Sequence, residues 1–396
     1  MSIVTLTERR STLVRLRRID VAELIADYAR IVEVVPTLRR GCYKVTARGY
    51  VGSFQTANRR WIIVLKIAAT VFQNFIPLHH SSSQKSSSNT SEAWYGQLVN
   101  LIAERLRSLL ESRIAAGLIR DYVQQETESA TIRGRIDLPR QVRNTTPTTR
   151  FHLITDEFTT DVIWNQVPKS AALRLLTLPF LSDEMRVRLQ ANLQAFTGVS
   201  PLSGGLSKLQ FTARTAPYQA LIELSTMILY SGGTSCDSGS FLLNLEQLFQ
   251  TYITKQLRHP GVLPRDWSVD SEPELALHSP HAATLSLRPD LVINDADGKP
   301  TSVWDVKWKS LRKSGPSAED MHQVLCYAAL TGTNCAGLIY PGRRFAHTTY
   351  QRPGCPIRLH IVRVPVTSSS EKCERAIRRL GRLMRTDSGN PNVNNS

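Results

Sequence analysis

The chain has 396 residues, 41% hydrophobic and 21% charged, which is too long for one ordinary core and excludes a collagenous or wholly disordered chain. Lysine and arginine number 49 against 33 acids, for a formal charge of +16 and a pI near 9.9. Such an excess draws polyanions, nucleic acid foremost, without separating DNA from RNA or binding from cutting. No uninterrupted apolar run reaches the length a bilayer demands, so no membrane segment is expected. The opening MSIVTLTERRSTLVRLRRID scatters charges where a secretion signal would be apolar. Six cysteines (Cys42, Cys236, Cys326, Cys335, Cys355, Cys373) form no CxxC pair, so free thiols in a reducing cytoplasm are the expectation.

Taken in order, residues 1–78 read as a β-rich N-terminal domain, with alternation in YKVTARGYV and a turn at TANRR. Residues 79–92, HHSSSQKSSSNTSE, read as a Ser-rich linker; His79 and His80 at its edge are bystanders on this reading. Residues 93–235 read as mainly helical. Leu98, Ile102, Leu106, Leu109 and Leu110 follow the helix period, and Gly117 supplies a stop. A basic strand-turn segment follows, ESATIRGRIDLPRQVRN, and TDEFTTDVIWNQVPKSAALRLL reads as a capped helix start that Pro168 perturbs or delays. Residues 236–382 alternate helix and strand, beginning with a helix over 241–257, as a compact α/β unit does. Residues 383–396 read as a disordered tail. The expected fold class is thus a multidomain mixture of α and β, with an α/β unit at its C-terminal end.

The chemistry concentrates in LRPDLVINDADGKPTSVWDVKWKS. Asp-Gly and Pro mark a hairpin turn, which returns Asp290 towards Asp305. Alternation sends Trp304, Val306 and Trp308 to one face and Asp305, Lys307 and Lys309 to the other. Two carboxylates brought together repel unless a cation neutralises them, and Mg²⁺ uses one or two carboxylates with water and phosphate oxygens. Lys307 would then stand beside the reacting water. From this stretch alone a solvated hairpin is an equal reading. Nearby, Gln323 and Tyr327 share a helix face behind a Ser317 cap, with Asp320 at capping-box distance. Glu246 and Gln250 share the flank of the helix in FLLNLEQLFQTYITKQL.

Helix, Pro-Asp, Asp-x-Lys and Gln-x-x-x-Tyr in this order resemble the PD-(D/E)xK nuclease superfamily, and QVLCY resembles its RecB-type members. TIRGRIDLPRQVR, DEFTTDVIWNQVPKSAALRLL, LEQLFQTYI, LRPDLVI, VWDVKWK, DMHQVLCYA and GLIYP resemble the McrC family, nuclease subunits of McrBC-type restriction systems directed at modified cytosine. The resemblance runs from about residue 50 to 365. It implies a C-terminal restriction-endonuclease-like domain in which Asp290 and Asp305 hold Mg²⁺, Lys307 is catalytic, and Gln323 and Tyr327 support it. It also implies double-stranded DNA as substrate and an McrB-like AAA+ GTPase ring as partner, docked on the 93–235 region. GTP would be bound by that partner, since this chain has no GxxxxGK[ST]. Arg133 and Arg135 are candidates for the docking by charge, against a purely structural turn. The sequence departs from the family at Gln250, where an acid is usual. A glutamine there can still accept a hydrogen bond from water but brings no charge, and Glu246 one turn earlier is the substitute. It also carries LKI (65–67) where the family tends to have PKI.

Three other readings remain open on sequence. One is a catalytically weak scaffold that only regulates the partner. Another is a stand-alone RecB-like repair nuclease. The third is a basic DNA-binding module, for which the hairpin acids would be a liability beside phosphate.

Overall fold

The structure is a computed structural model, and it describes residues 2–65, 75, 90–143, 149–206, 209–231, 240–279, 284–311 and 315–386. The expected linker over 79–92, with His79 and His80, therefore lies outside the described residues except for 90–92, and so does Cys236. The mixture of strands and helices expected from the sequence is what the chain adopts. Among the described residues no helix is long and apolar enough to cross a membrane.

Strands dominate the first 64 residues. Ser11–Arg15, Cys42–Ala47 and Val32–Pro36 form one small sheet. Ser2–Thr7, Arg59–Val64 and Tyr50–Thr56 form another, and Phe54, Trp61 and Tyr28 stack between the two. The 241–257 stretch does not form one helix. Phe241–Asn244 is instead a strand paired with Tyr50–Ser53, and the helix starts at Leu245. Phe241, Leu242 and Leu243 are all buried, so the segment fills the N-terminal sheet with three consecutive apolar side chains, which one helix face could not hide. Asn244 then turns the chain by accepting from the Glu246 and Gln247 N–H groups.

The middle region is built on the helix Ser91–Ala116, capped by Thr90 and ended at Gly117 with φ 85°. It buries Leu98, Ile102, Leu106 and Leu110 against the helices Ile163–Thr177, Asp183–Gln194 and Gln219–Tyr230. Pro168 does not delay its helix: it sits inside Ile163–Thr177, fully buried among Val167, Ala171 and Ala172. The expected cap is also absent, because residues 155–159 belong to a strand and Val162 precedes the helix without a side-chain bond. Asp161 instead accepts from Gln166 Nε2 and the Ser200 N–H.

Between these helices lies more sheet than the sequence suggests. Asp121–Ser129, Phe151–Thr159 and Arg135–Ile136 form a three-stranded ribbon whose residues are mostly exposed. Gly134, at φ 90°, meets the Ile154 carbonyl so closely that a Cβ would lie 2.6 Å from it. The RGR sequence is thus a turn that only glycine can make, and Arg133 and Arg135 flank it on the surface.

A six-stranded sheet carries the rest, in the order Ser268–Ser271, Leu291–Asn294, Pro300–Val306, Cys335–Gly342, Arg358–Pro365, Ala346–Gln351. Pro300–Val306, Cys335–Gly342 and Arg358–Pro365 run parallel. The helix Ala318–Thr331 makes the first crossover and packs on one face through Val324, Tyr327 and Ala328. Leu245–Leu257 and Ser370–Thr386 cover the other face. This last helix passes the boundary expected at 382 and buries Met384; residues 387–396 of the expected tail lie outside the described residues.

Candidate active site

The hairpin forms as its turn residues dictate. Asp295 Oδ1 accepts from the Asp297 and Lys299 N–H groups, and Gly298 takes φ 76°. Antiparallel pairing sets Leu291 against Trp304, which places Asp290 opposite Asp305. The alternation read from the sequence holds. Trp304, Val306 and Trp308 enter the core with Phe249 and Tyr252, and Trp304 lies so close on Gly337 that a Cβ there would sit 2.0 Å from the indole. The opposite face carries Asp305, fully buried, and Lys307, half-buried.

Asp290 Oδ2 accepts the Val306 N–H at 2.6 Å. The Lys307 ammonium stands 2.6 Å from the buried Asp305 Oδ2, an ion pair that is this oxygen's one close polar contact among the described residues. Burial and then the Asp305 charge push the Asp290 carboxyl up to about 7. Burial also raises Asp305; Lys307 opposes this, while the Asp320 and Glu246 charges add to it. Burial would lower the Lys307 ammonium, but the Asp305 carboxylate outweighs it and leaves that group raised. These are the marks of an acid pair short of positive charge.

Gln323 and Tyr327 reach the same place. Tyr327 Oη donates to the Arg288 carbonyl at 3.2 Å and accepts from Gln323 Nε2 at 2.9 Å. That turns the Gln323 carbonyl to Lys307, whose Nζ donates to it at 2.9 Å. Ser317 caps the helix as read, its Oγ accepting from the Asp320 N–H. The Asp320 carboxylate does not complete a capping box; it takes Lys309 Nζ at 2.7 Å and the Tyr340 hydroxyl at 2.7 Å.

Glu246 and Gln250 lie at the rim. Glu246 is exposed and accepts from Arg9 Nη2 at 2.5 Å. Gln250 acts as a donor, Nε2 to Glu272 Oε1 at 3.1 Å. Sequence reasoning missed Glu272, Asp320, Tyr340 and Arg9 as neighbours of the site. Glu272 had one signal, an acid at the end of the strand beside Asp290. Its backbone N–H bonds the Asp290 carbonyl at 3.1 Å, and its φ is 52°, a left-handed conformation that costs a side-chain-bearing residue about 1 kcal/mol.

The donor set suits a hard divalent cation. Among the described residues no group of three or more His, Cys, Asp or Glu side chains is disposed as a metal cage, whereas Mg²⁺ asks for one or two carboxylates and keeps several waters. Asp290 and Asp305 would be that pair, with the Lys307 ammonium 2.6 Å from Asp305 Oδ2.

A family model described as McrBC 5-methylcytosine restriction system component matches residues 45–341. The chain belongs to this family. A chain of the Thermococcus gammatolerans half-complex described as McrB AAA+ hexamers with bound McrC is 18% identical. The match covers 96% of this chain and 100% of that one, at a TM-score of 0.52, a likeness of fold. A chain of the Thermococcus gammatolerans McrBC complex solved by cryo-EM is 17% identical over 65% of this chain and 87% of that one, at a TM-score of 0.38. No curated protein matches.

Proposed function

We propose that this restriction-system component is the Mg²⁺-dependent DNA endonuclease subunit, with a PD-(D/E)xK site made of Asp290, Asp305 and Lys307. The observation that carries the reading is the Asp290–Asp305 pair, Asp305 fully buried and Asp290 partly so, with Lys307 held against it by Gln323. Asp290 and Asp305 would hold the cation, which when bound supplies Lewis-acid stabilisation of the charge building on the attacked phosphate. Lys307 keeps an ammonium at the scissile position, where its spare protons can donate to a phosphate oxygen or orient a water. Gln323 fixes the direction of that ammonium, and Tyr327 fixes Gln323 through the Arg288 carbonyl. This gives the Gln-x-x-x-Tyr spacing a physical task.

The partner in this reading is an McrB-like AAA+ GTPase ring, as in the Thermococcus assembly; it binds GTP, recognises DNA with modified cytosine and switches cutting on. The ribbon and its short helix supply a docking surface. Tyr122, Ile132, Leu138, Val142 and Phe158 are exposed there among Arg120, Arg133, Arg135, Arg140 and Arg143. Apolar groups left in water beside charge mark a protein interface. Work on DNA and the free thiols of Cys42, Cys326, Cys335, Cys355 and Cys373 fit a cytoplasmic location.

The test is Mg²⁺-dependent cleavage of a cytosine-methylated plasmid by this protein with its GTPase partner and GTP, with turnover of GTP followed in the same tubes. Cutting that requires GTP and vanishes in Asp305→Ala is the expected result. Stimulated GTP turnover without cutting, on several modified substrates, overturns the nuclease reading in favour of a regulatory scaffold. Cutting without partner or GTP favours a stand-alone repair nuclease.

A further inference from the structure

The C-terminal helix Ser370–Thr386 has one face that neither the site nor the core uses. On its inner side Ala376, Ile377, Leu380 and Met384 are buried in the core with Phe249 and Ile253. Gly381 lies so close to the turn after Leu245–Leu257 that a Cβ would sit 2.5 Å from the Val262 carbonyl oxygen. The helix is therefore held firmly from within. Its outer side is arginine. After Glu374 it carries Arg375, Arg378, Arg379, Arg382 and Arg385 and no acid, and all of these arginines are exposed.

In the helix Ser91–Ala116, by contrast, Arg107 lies between Glu104 and Glu111 and pairs with both. In Ser370–Thr386 the spacing does the opposite. Arg375 and Arg379, and likewise Arg378 and Arg382, are four residues apart, where like charges repel and weaken a helix. The helix dipole favours Arg385 in the last turn but does nothing for Arg375, Arg378 or Arg379 further in. A polyanion laid along the row removes the repulsion. From Arg375 to Arg385 the helix advances about 15 Å, a length over which one strand of duplex DNA presents about four phosphates. Arginine forks also match phosphate oxygens in pairs.

The row reaches the edge of the sheet that carries the candidate site. The Arg379 guanidinium lies 4.7 Å from the centre of the Phe345 ring, and the exposed Arg343 and Arg344 directly precede that ring. They follow the strand Cys335–Gly342, which runs parallel to Pro300–Val306, so both strands end on the same side. The Lys307 N–H bonds the Ile339 carbonyl, and Arg343 comes about 13 Å further along the chain. Acids at the site repel a phosphate backbone, and these arginines place attraction beside it. We propose that the outer face of Ser370–Thr386, continued by Arg343 and Arg344, holds the phosphate backbone of duplex DNA while the bond to be cut lies at Asp305 and Lys307. The choice of DNA among polyanions rests on the nuclease reading above. Backbone contact of this kind is blind to sequence and to base modification, which leaves recognition to another surface.

The experiment is fluorescence anisotropy of a short unmodified duplex titrated with the full chain in EDTA, at salt between about 50 and 200 mM. Wild type is compared with the triple variant Arg375→Gln, Arg378→Gln, Arg382→Gln and with the same positions changed to Lys. A charge-matched control, Arg39→Gln, Arg40→Gln, Lys44→Gln, alters exposed residues in and beside the strand Cys42–Ala47. The glutamine triple should weaken binding at least about tenfold and lower the slope of log affinity against log salt by about two to three. Its melting temperature should be equal or higher, since repulsion is removed. If that triple does not fold, Arg378→Gln alone takes its place, with the slope lower by about one. The lysine triple should keep most of the slope, and the control should lose far less affinity than the glutamine triple. Equal losses in the glutamine triple and the control mean that binding follows net charge alone and overturn the surface, as does a glutamine triple with the wild-type slope. Wild type that leaves the duplex free overturns it too, in favour of a membrane if the protein sediments with phosphatidylserine vesicles instead. Cleavage with the GTPase partner and GTP tests the nuclease reading separately: an Asp305→Ala protein that still cuts overturns that reading and leaves the surface standing.

Discussion

Two antiparallel pairings in this chain have opposite fates. Leu291–Asn294 against Pro300–Val306 is covered by helices on both faces, and nearly every residue is buried. Asp121–Ser129 against Phe151–Thr159 is longer, with nine residue pairs, yet its first strand buries nothing. Burial is what separates them chemically. In the first pairing a carboxylate has little water to solvate it, so neighbouring charges count strongly and the Asp290 carboxyl moves to about 7. In the second, acids such as Glu126 and Asp121 pair with arginines in water, where such pairs contribute little. On the function proposed above, one surface acts on a charge and the other is covered.

The comparison breaks if function does not divide in the same way. The largest expected effect is Asp305→Ala, which should lower cleavage by at least about a thousandfold while leaving stimulation of the partner's GTPase intact; both are read in one coupled assay. Tyr122→Ser combined with Val142→Ser should do the reverse. GTPase stimulation should fall by about a hundredfold with an unchanged melting temperature, because both side chains already lie in water. Gly337→Ala should destabilise the protein by about 1–3 kcal/mol in denaturant unfolding, since the Trp304 ring has to move. Tyr327→Phe should lower kcat about tenfold with little change in KM, as Gln323 loses its fixed orientation and Lys307 its aim.

The smallest effect is a pH dependence. A raised carboxyl pKa means that the unfolded chain gives up the Asp290 proton first as pH rises from about 4. Metal-free stability should therefore fall between about pH 4 and 7 and level off above the folded pKa of about 7. Mg²⁺ binds the ionised form, so the rise in melting temperature that it causes should be greater at pH 8 than at pH 6. Equal shifts at both pH values would detach that carboxyl from the metal.

Much of the site was legible because hairpins, caps and alternation are local. Asp-Gly announced the turn, alternation sorted Trp304 from Asp305, and four-residue spacing put Gln323 beside Tyr327. What was not legible depends on partners distant in sequence. Nothing in FLLN marks it as a strand until Tyr50–Ser53 lies beside it. Asp320 reads as half of a capping box until Lys309, just past the strand Pro300–Val306, and Tyr340, on the strand Cys335–Gly342, reach it. Glu272 is one acid among 33 until the sheet sets it beside Asp290. The helix cap expected in TDEFT lost to the nine-pair ladder with Asp121–Ser129, while the helix it was to start forms at Ile163–Thr177.

The strand Phe241–Asn244 has a further consequence. It is hydrogen-bonded to the N-terminal sheet, at Gly52 so tightly that a Cβ would lie 2.1 Å from the Phe241 carbonyl, and its last residue caps the helix that carries Glu246 and Gln250. The end of this protein that carries the candidate site is therefore poor material for transplantation. Shuffled into another chain from residue 245 onward, it would leave behind both the cap of its first helix and the Arg9 that meets Glu246.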